Sequence, residues 1–533
     1  MIAYGVFVMK NSIVQSRQAI RASSCALFAV ALSVMLAGCN VGPKYVPPSM
    51  TAPPAFKESP TQFKETDGWT VAQPQDAALR GKWWEIYNDP ELNALEEQLN
   101  IDNQNIRESF ENFMEARALV REARSQYFPT IGIGPSYTRS QSSSTIGSGT
   151  SSSSGTGTGT GTGSTVSSAG KQSQIFALPA SISWEPDLWD KVRNTVRANQ
   201  YNAQLSAADL ENERLSEQAS LAEYFFEIRG QDALQQILDA TVDADKKSVD
   251  SEQARYDTGV DDRISLVEAQ TTLDSARSAA INLGIARAQY EDAIAMLVGK
   301  PASAFSIPVK PILTAPPPIP IGLPTQLLER RPDIAGAERS MAAANAQIGV
   351  AYAAYYPSLT LSGNGGVESS ALKNLFDAAS RFWSVGPALS ETIYDGGLRR
   401  ATVNQYIATY NADLAAYRQT VLVAFQQVED SLASVRILSQ QIAQQQKAVD
   451  SSQLFLKLEQ SRYDLGIDPY IDVMTAETTL LSNQQGLANL QVEQMTASVQ
   501  LIQALGGGWD RSQLPTPAQI TQKPTHAETA IQH

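Results

Sequence analysis

Histidine is scarce in this chain, and both copies, His526 and His533, fall in the last eight residues. Cysteine is as rare: Cys25 and Cys39 stand near the start and none follows. The body of the chain therefore holds no His-based triad, no His cluster for a metal and no Cys metal site. No disulfide can staple it either. On residue types alone, a carboxylate-only enzyme stays open. Beyond residue 39 no apolar run is long enough to cross a bilayer as a helix. Basic residues are outnumbered, 41 Lys and Arg against 55 Asp and Glu, for a formal charge of −14. That surplus disfavours nucleic acid and anionic membrane surfaces as partners.

The first residues are expected to be removed. Lys10, Arg17 and Arg21 precede an apolar run from Cys25 to Ala37, which is the pattern of a secretory signal with its start at Met1 or Met9. The run ends in Leu36-Ala37-Gly38-Cys39, which resembles the lipobox of bacterial lipoproteins, so Cys39 is the expected acylation site. The covalent lipid on Cys39 is the only bound group expected; no cofactor or metal is. Loss of 38 residues carrying three basic and no acidic side chains leaves 495 residues and a formal charge of −17.

An internal repeat organises the rest. Arg255-Tyr256-Asp257-Thr258-Gly259-Val260-Asp261 aligns with Arg462-Tyr463-Asp464-Leu465-Gly466-Ile467-Asp468. Asn199-Gln200-Tyr201 aligns with Asn404-Gln405-Tyr406, and Tyr127-Phe128-Pro129 with Tyr355-Tyr356-Pro357. Each half reads as a helix, a hairpin started by proline, a long helix, a turn centred on glycine, and a return helix. Ile407, Leu414, Val421, Val428, Val435, Ile442, Val449, Leu456 and Tyr463 recur every seven residues, with no glycine or proline between them. At 1.5 Å per residue that stripe is about 84 Å long. The return leg repeats at sevens through Ile467, Met474, Leu481, Ala488, Met495 and Ile502. Such stripes predict helices packed along their length.

Four other segments alternate every second residue. Ile131, Ile133 and Tyr137 alternate with small or polar residues, as do Phe176, Leu178, Ile182 and Trp184 in the next segment. Leu359 and Leu361, then Trp383, Val385, Leu389 and Ile393, repeat the pattern in the second half. Segments of about ten residues with one apolar face match transmembrane β-strands. Four strands cannot close a barrel, because the smallest need about eight. Two copies would give 8 strands and three would give 12. Three is preferred, because about eight strands leave an interior filled by side chains. The Ser/Thr/Gly insert between the first two strands has no charged residue and reads as a flexible external loop.

The expected organisation is a signal peptide 1–38, a lipidated segment 39–90 and a first repeat 91–300. The first repeat carries a β-hairpin 130–184 with its insert 141–170. A Pro-rich equatorial linker 301–332 follows, then a second repeat 333–506 with a β-hairpin 357–393, and a tail 507–533. The fold class is mainly α with a membrane β-barrel: a trimeric 12-stranded barrel, four strands per chain, with a long α-helical periplasmic tunnel. Two alternatives compete. A periplasmic coiled-coil lipoprotein without a pore explains the heptads but leaves the strands idle. A glycan hydrolase would need two carboxylates facing one cleft, and no motif singles out a pair.

Several motifs resemble the outer-membrane factor family, the TolC-like exit ducts, most closely its lipoprotein branch of the NodT/OprM type. They are Cys39-Asn40-Val41-Gly42-Pro43-Lys44-Tyr45, Asn88-Asp89-Pro90-Glu91-Leu92, Glu329-Arg330-Arg331-Pro332-Asp333-Ile334 and Asn345-Ala346-Gln347-Ile348-Gly349. Phe382-Trp383-Ser384-Val385-Gly386-Pro387 and Ile393-Tyr394-Asp395-Gly396-Gly397 complete the set. The resemblance implies a homotrimer in outer-membrane lipid, docked to a periplasmic adaptor and an inner-membrane pump, commonly of the RND type. It implies no enzyme and no nucleic-acid partner. It also places the two glycine turns at a periplasmic tip that meets the adaptor, through Arg255, Tyr256, Gly259, Val260, Arg462, Gly466 and Ile467. Tyr463 is expected at the constriction. Asp472 matches an aspartate ring at the narrowest point of some relatives. Asp468 stands where some relatives carry a gate-locking arginine, and is expected to add to an acidic entrance.

Overall fold

A computed structural model of the chain describes residues 41–48, 53, 56–57, 81–141, 172–260, 262–311, 315–319 and 328–522. The signal segment, Cys39, nearly all of the insert 141–170, Asp261 and the end of the tail lie outside the described residues.

The two halves fold to one plan. In the first, α1 (Pro90–Asp102) and α2 (Gln104–Ser125) precede β1 (Thr130–Ile133), β2 (Ser136–Gln141) and β3 (Gln172–Trp184). Then come α3 (Lys191–Asp257) and α4 (Arg263–Leu297). In the second, α5 (Pro332–Ala353) leads to β4 (Ser358–Ser369), β5 (Arg381–Ser390), α6 (Leu398–Asp464) and α7 (Tyr470–Ala504). The duplication is exact in length: α3 and α6 have 67 residues each, α4 and α7 have 35 each. A helix of that longer kind extends about 100 Å.

The chain divides into two compact units. One, formed by 121–197, 345–407 and the residues up to Lys44, contains the sheet. All its pairings are antiparallel, in the order β1–β3–β4–β5, with β2 also on β3. β1 and β2 are one strand interrupted at Gly134-Pro135, because Pro135 has no N–H to give the ladder. Four physical strands result. β4 runs further than the sequence suggested, to Ser369, and β5 stops at Ser390, so Ile393 lies beyond it. The alternation is preserved in three dimensions. Trp383 is 81% exposed and Val385 79%, on every second residue of β5. Among the described residues no helix is long and apolar enough to cross a membrane.

The second unit, 45–120, 198–344 and 408–533, holds the helical core. Trp83, Leu92, Leu99, Phe225, Ile228, Ile294 and Ile502 are buried together there. Asp89 caps α1 by accepting from the backbone N–H of Glu91 and Leu92, and Pro90 takes the first helical position. Arg229 is buried and ties the core by pairing with Glu91 and donating to the Pro308 carbonyl at 2.8 Å. The predicted stripe on α6 turns inward: none of its nine residues is exposed, and Val421 and Val428 are fully buried.

Candidate functional site

The two long helices end in the same way. At the end of α3 the Val260 N–H donates to the Arg255 carbonyl at 2.9 Å and the Gly259 N–H to the Tyr256 carbonyl at 3.0 Å. At the end of α6 the Ile467 N–H donates to Arg462 at 3.0 Å and the Gly466 N–H to Tyr463 at 2.8 Å. This double bond satisfies carbonyls that a helix end leaves orphaned, and it needs a residue of positive φ. Gly259 (φ 72) and Gly466 (φ 71) supply it. A Cβ at either would meet nothing within 4 Å, so backbone conformation and not crowding asks for glycine. The return helices start differently. Asp262 caps α4 by accepting from Ile264 and Ser265, whereas Pro469 occupies the equivalent place before α7 and offers no side-chain cap.

The tyrosines that the repeat aligns have opposite surroundings. Tyr256 is 41% exposed, beside exposed Val260, while Tyr463 is 5% exposed. The Tyr463 hydroxyl donates to Glu252 Oε1 at 2.6 Å, joining α6 to α3. The Arg255 guanidinium lies 4.6 Å from the Tyr463 ring centre, and Tyr470 packs on it at 5.4 Å. Ala269, Tyr470 and Val473 complete a small buried cluster with Tyr463. Four helices thus meet at this point. Leu465 and Ile467 stay exposed on the turn.

Asp468, expected to add to an acidic entrance, is paired within its own turn. Its carboxylate is engaged by the Arg462 guanidinium, through Nε and through Nη2 at 2.9 Å from Oδ1. This bidentate pair closes the second turn on itself. The hydrogen bond from Arg462 holds the Asp468 carboxyl below its ordinary value. Glu459 lies against it and is pushed up, by burial first and by the Asp468 charge second. Asp472 joins them: an oxygen from each of the three lies within 4.8 Å of the others. The constriction candidates Asp472, Asp468 and Tyr463 therefore belong to one corner of the fold, with Glu252 and Glu459 added. Those two glutamates carry no motif. A signal for Glu252 existed: Val242, Val249 and Tyr256 recur at sevens in α3, and Glu252 stands three residues after Val249, at a position that usually takes an apolar side chain.

A family model described as outer membrane efflux protein matches residues 95–300 and 323–507. The chain belongs to that family. It is an outer-membrane channel subunit of an efflux system, extending into the periplasm. The family match covers both repeats. Among curated relatives, the solvent efflux pump outer membrane protein SrpC of Pseudomonas putida is 30% identical over 485 residues, 90% of this chain and 97% of that one. The outer membrane protein OprJ of Pseudomonas aeruginosa is 28% identical over 499 residues, 90% and 95% of the two chains. Among solved structures, the outer-membrane channel OprN superposes with a TM-score of 0.77 at 27% identity, over 88% of this chain and all of that one. The Campylobacter jejuni CmeC channel, at 20% identity and a TM-score of 0.78, shares the fold.

Proposed function

We propose that three copies of this chain close a 12-stranded barrel and that the helix turns form its periplasmic gate. The observation that carries this is the open four-stranded sheet. Its outer strands, β1 with β2 on one side and β5 on the other, each pair on one edge only among the described residues. An open edge and an apolar face have no stable place in a bilayer unless further strands close the ring. In this proposal the chain does no bond chemistry, and Cys39 carries a lipid that anchors each copy. Asp472 from three copies lines the narrowest passage, where like charges attract cations. The exposed turn residues, Tyr256, Val260, Leu465 and Ile467, are the surface offered to a periplasmic adaptor, which couples the duct to an inner-membrane pump of the RND type. SrpC is named for solvent efflux and OprJ carries no cargo in its name; cargo selection is assigned to the pump.

Native mass spectrometry of the detergent-extracted complex tests the proposal. A trimer bearing three lipidated chains supports barrel, assembly and anchor together. A lipidated monomer keeps the anchor and removes the pore, because four strands per particle enclose nothing.

A further inference from the structure

α3 and α7 are antiparallel neighbours. Gly230 on α3 lies so close to Val492 on α7 that a Cβ there would come within 2.3 Å of a valine methyl. Fifteen residues on along α3, and fifteen back along α7, stand Asp245 and Glu477. Asp245 and Glu252 are seven residues apart on α3, as Tyr470 and Glu477 are on α7. Each pair therefore lies on one helix face, and the two faces meet. Polar groups have replaced the apolar seam expected there. Asp245 is 2% exposed and so is Glu252. Asp245 Oδ2, Glu252 Oε2 and Glu477 Oε2 are buried with no hydrogen-bond partner.

The neighbours supply little positive charge. α3 offers Asp245, Ser248 and Glu252, and α7 offers Tyr470 and Glu477. From α6 come Tyr463, bonded to Glu252, and the exposed groove beside Glu477 that contains Asp450 and Lys457. α4 contributes Ala269. Arg255 is stacked on the Tyr463 ring. Two carboxylates with buried oxygens on one seam resist carrying two charges, and protonation of one removes a charge.

We propose that Asp245 and Glu477 form a proton-held clasp between α3 and α7 behind the turns, closed when the pair holds a proton and loosened when both carboxylates ionise. Burial pushes Asp245 up. Burial first, and the Asp245 charge second, push Glu477 from 4.5 to about 7. A carboxyl whose value is raised by packing holds its proton more tightly in the packed state. The clasp is therefore firm below 4.5 and weakens as pH rises through about 7. Between 4.5 and about 7 each pH unit favours the loosened seam by up to about tenfold, and above about 7 the dependence levels off. The released proton passes to bulk water.

The consequence for gating rests on the function proposed above; the clasp does not. The test is hydrogen–deuterium exchange of the full-length assembled protein across pH 5.5 to 8.5, corrected for intrinsic exchange, read on peptides covering Tyr470–Glu477. Wild type should lose protection from pH 5.5 to about 7 by up to about tenfold per unit and level off above that. Glu477→Gln, which keeps the shape of the protonated side chain, should be flat over the same range; Asp245→Asn removes the second cause and leaves the burial of Glu477, so its change should be smaller and lie at lower pH. Asp274→Asn, at an exposed carboxylate on α4, should keep the wild-type profile. A flat wild-type profile, or an unchanged profile in both clasp variants, overturns the proposal. Open probability in planar bilayers is read in parallel. If exchange follows the clasp and open probability does not, the clasp stands and the gate assignment of this end falls.

Discussion

Removing one hydroxyl should unfasten the turns. Tyr463→Phe keeps the ring under Arg255 and against Tyr470, and deletes the hydrogen bond at 2.6 Å to Glu252. Glu252 is 2% exposed, and its Oε2 already has no partner. The substitution therefore leaves a buried carboxylate with no donor. A hydrogen bond to a charged group contributes about 1.5 to 3 kcal/mol, and the orphaned partner adds to its loss. Since 1.4 kcal/mol is a factor of ten, the closed packing should lose between about 10- and 100-fold against the open one. Single-channel recording in planar bilayers reads this as open probability. Glu252→Gln is the companion variant: its amide oxygen still accepts from Tyr463, so a smaller effect is expected. An open probability for Tyr463→Phe within twofold of wild type would show that the α3–α6 tie does not hold the closed state.

Cys39→Ala should abolish incorporation of radioactive fatty acid; unchanged labelling refutes the anchor. Asp472→Ala should weaken block by multivalent cations in planar bilayers, and identical currents remove its assigned part in the passage. Gly466→Ala should destabilise the second turn by about 1–2 kcal/mol, because an L-residue must hold φ near 71 there. Denaturant titration should show the loss, with Gly466→Asn recovering part of it, and full stability in the alanine variant would mean that the turn readily adopts another form.

The long helix α6 was legible because its hydrophobic repeat is regular and no glycine or proline interrupts it; the first-half series is weaker, with Gln235 breaking it. All nine stripe residues of α6 turn away from solvent, and the second-half hairpin reverses at Gly466 as the aligned motif implies. The strands were legible in position and less so in extent. β4 continues through Gly363, Gly365 and Gly366, which dilute the apolar alternation while the backbone ladder persists. Ile393 continues the alternation in sequence but stands past the end of β5, where Asp395 begins the entry to α6 by accepting from the Gly397 and Arg399 N–H groups. Periodicity reports which side chains alternate, not which N–H groups find a partner. The site residues divide the same way. Glycines with positive φ announce themselves through the aligned turn motif. The fate of each tyrosine does not, because Tyr256 and Tyr463 occupy equivalent places and only the packing of neighbouring helices distinguishes them.

That inequality bears on how the tip works. The second turn is tied twice, by Arg462 to Asp468 within itself and by Tyr463 to Glu252 on α3. The first turn is built on the same backbone bonds and caps its return helix with Asp262, yet its tyrosine faces solvent. The two ties of the second turn differ in kind. The Arg462–Asp468 pair joins residues six apart and travels with the α6–α7 hairpin as a rigid corner. The Tyr463–Glu252 bond and the proposed Asp245–Glu477 clasp cross to α3. Movement of the α6–α7 hairpin away from α3 must break both crossings and can leave the corner intact. On the proposed gate, the resistance to opening resides in these crossings, at Asp245, Glu252 and Glu477. The corner of Glu459, Asp468 and Asp472 lies on the α6–α7 hairpin alone and so does not tie it to α3.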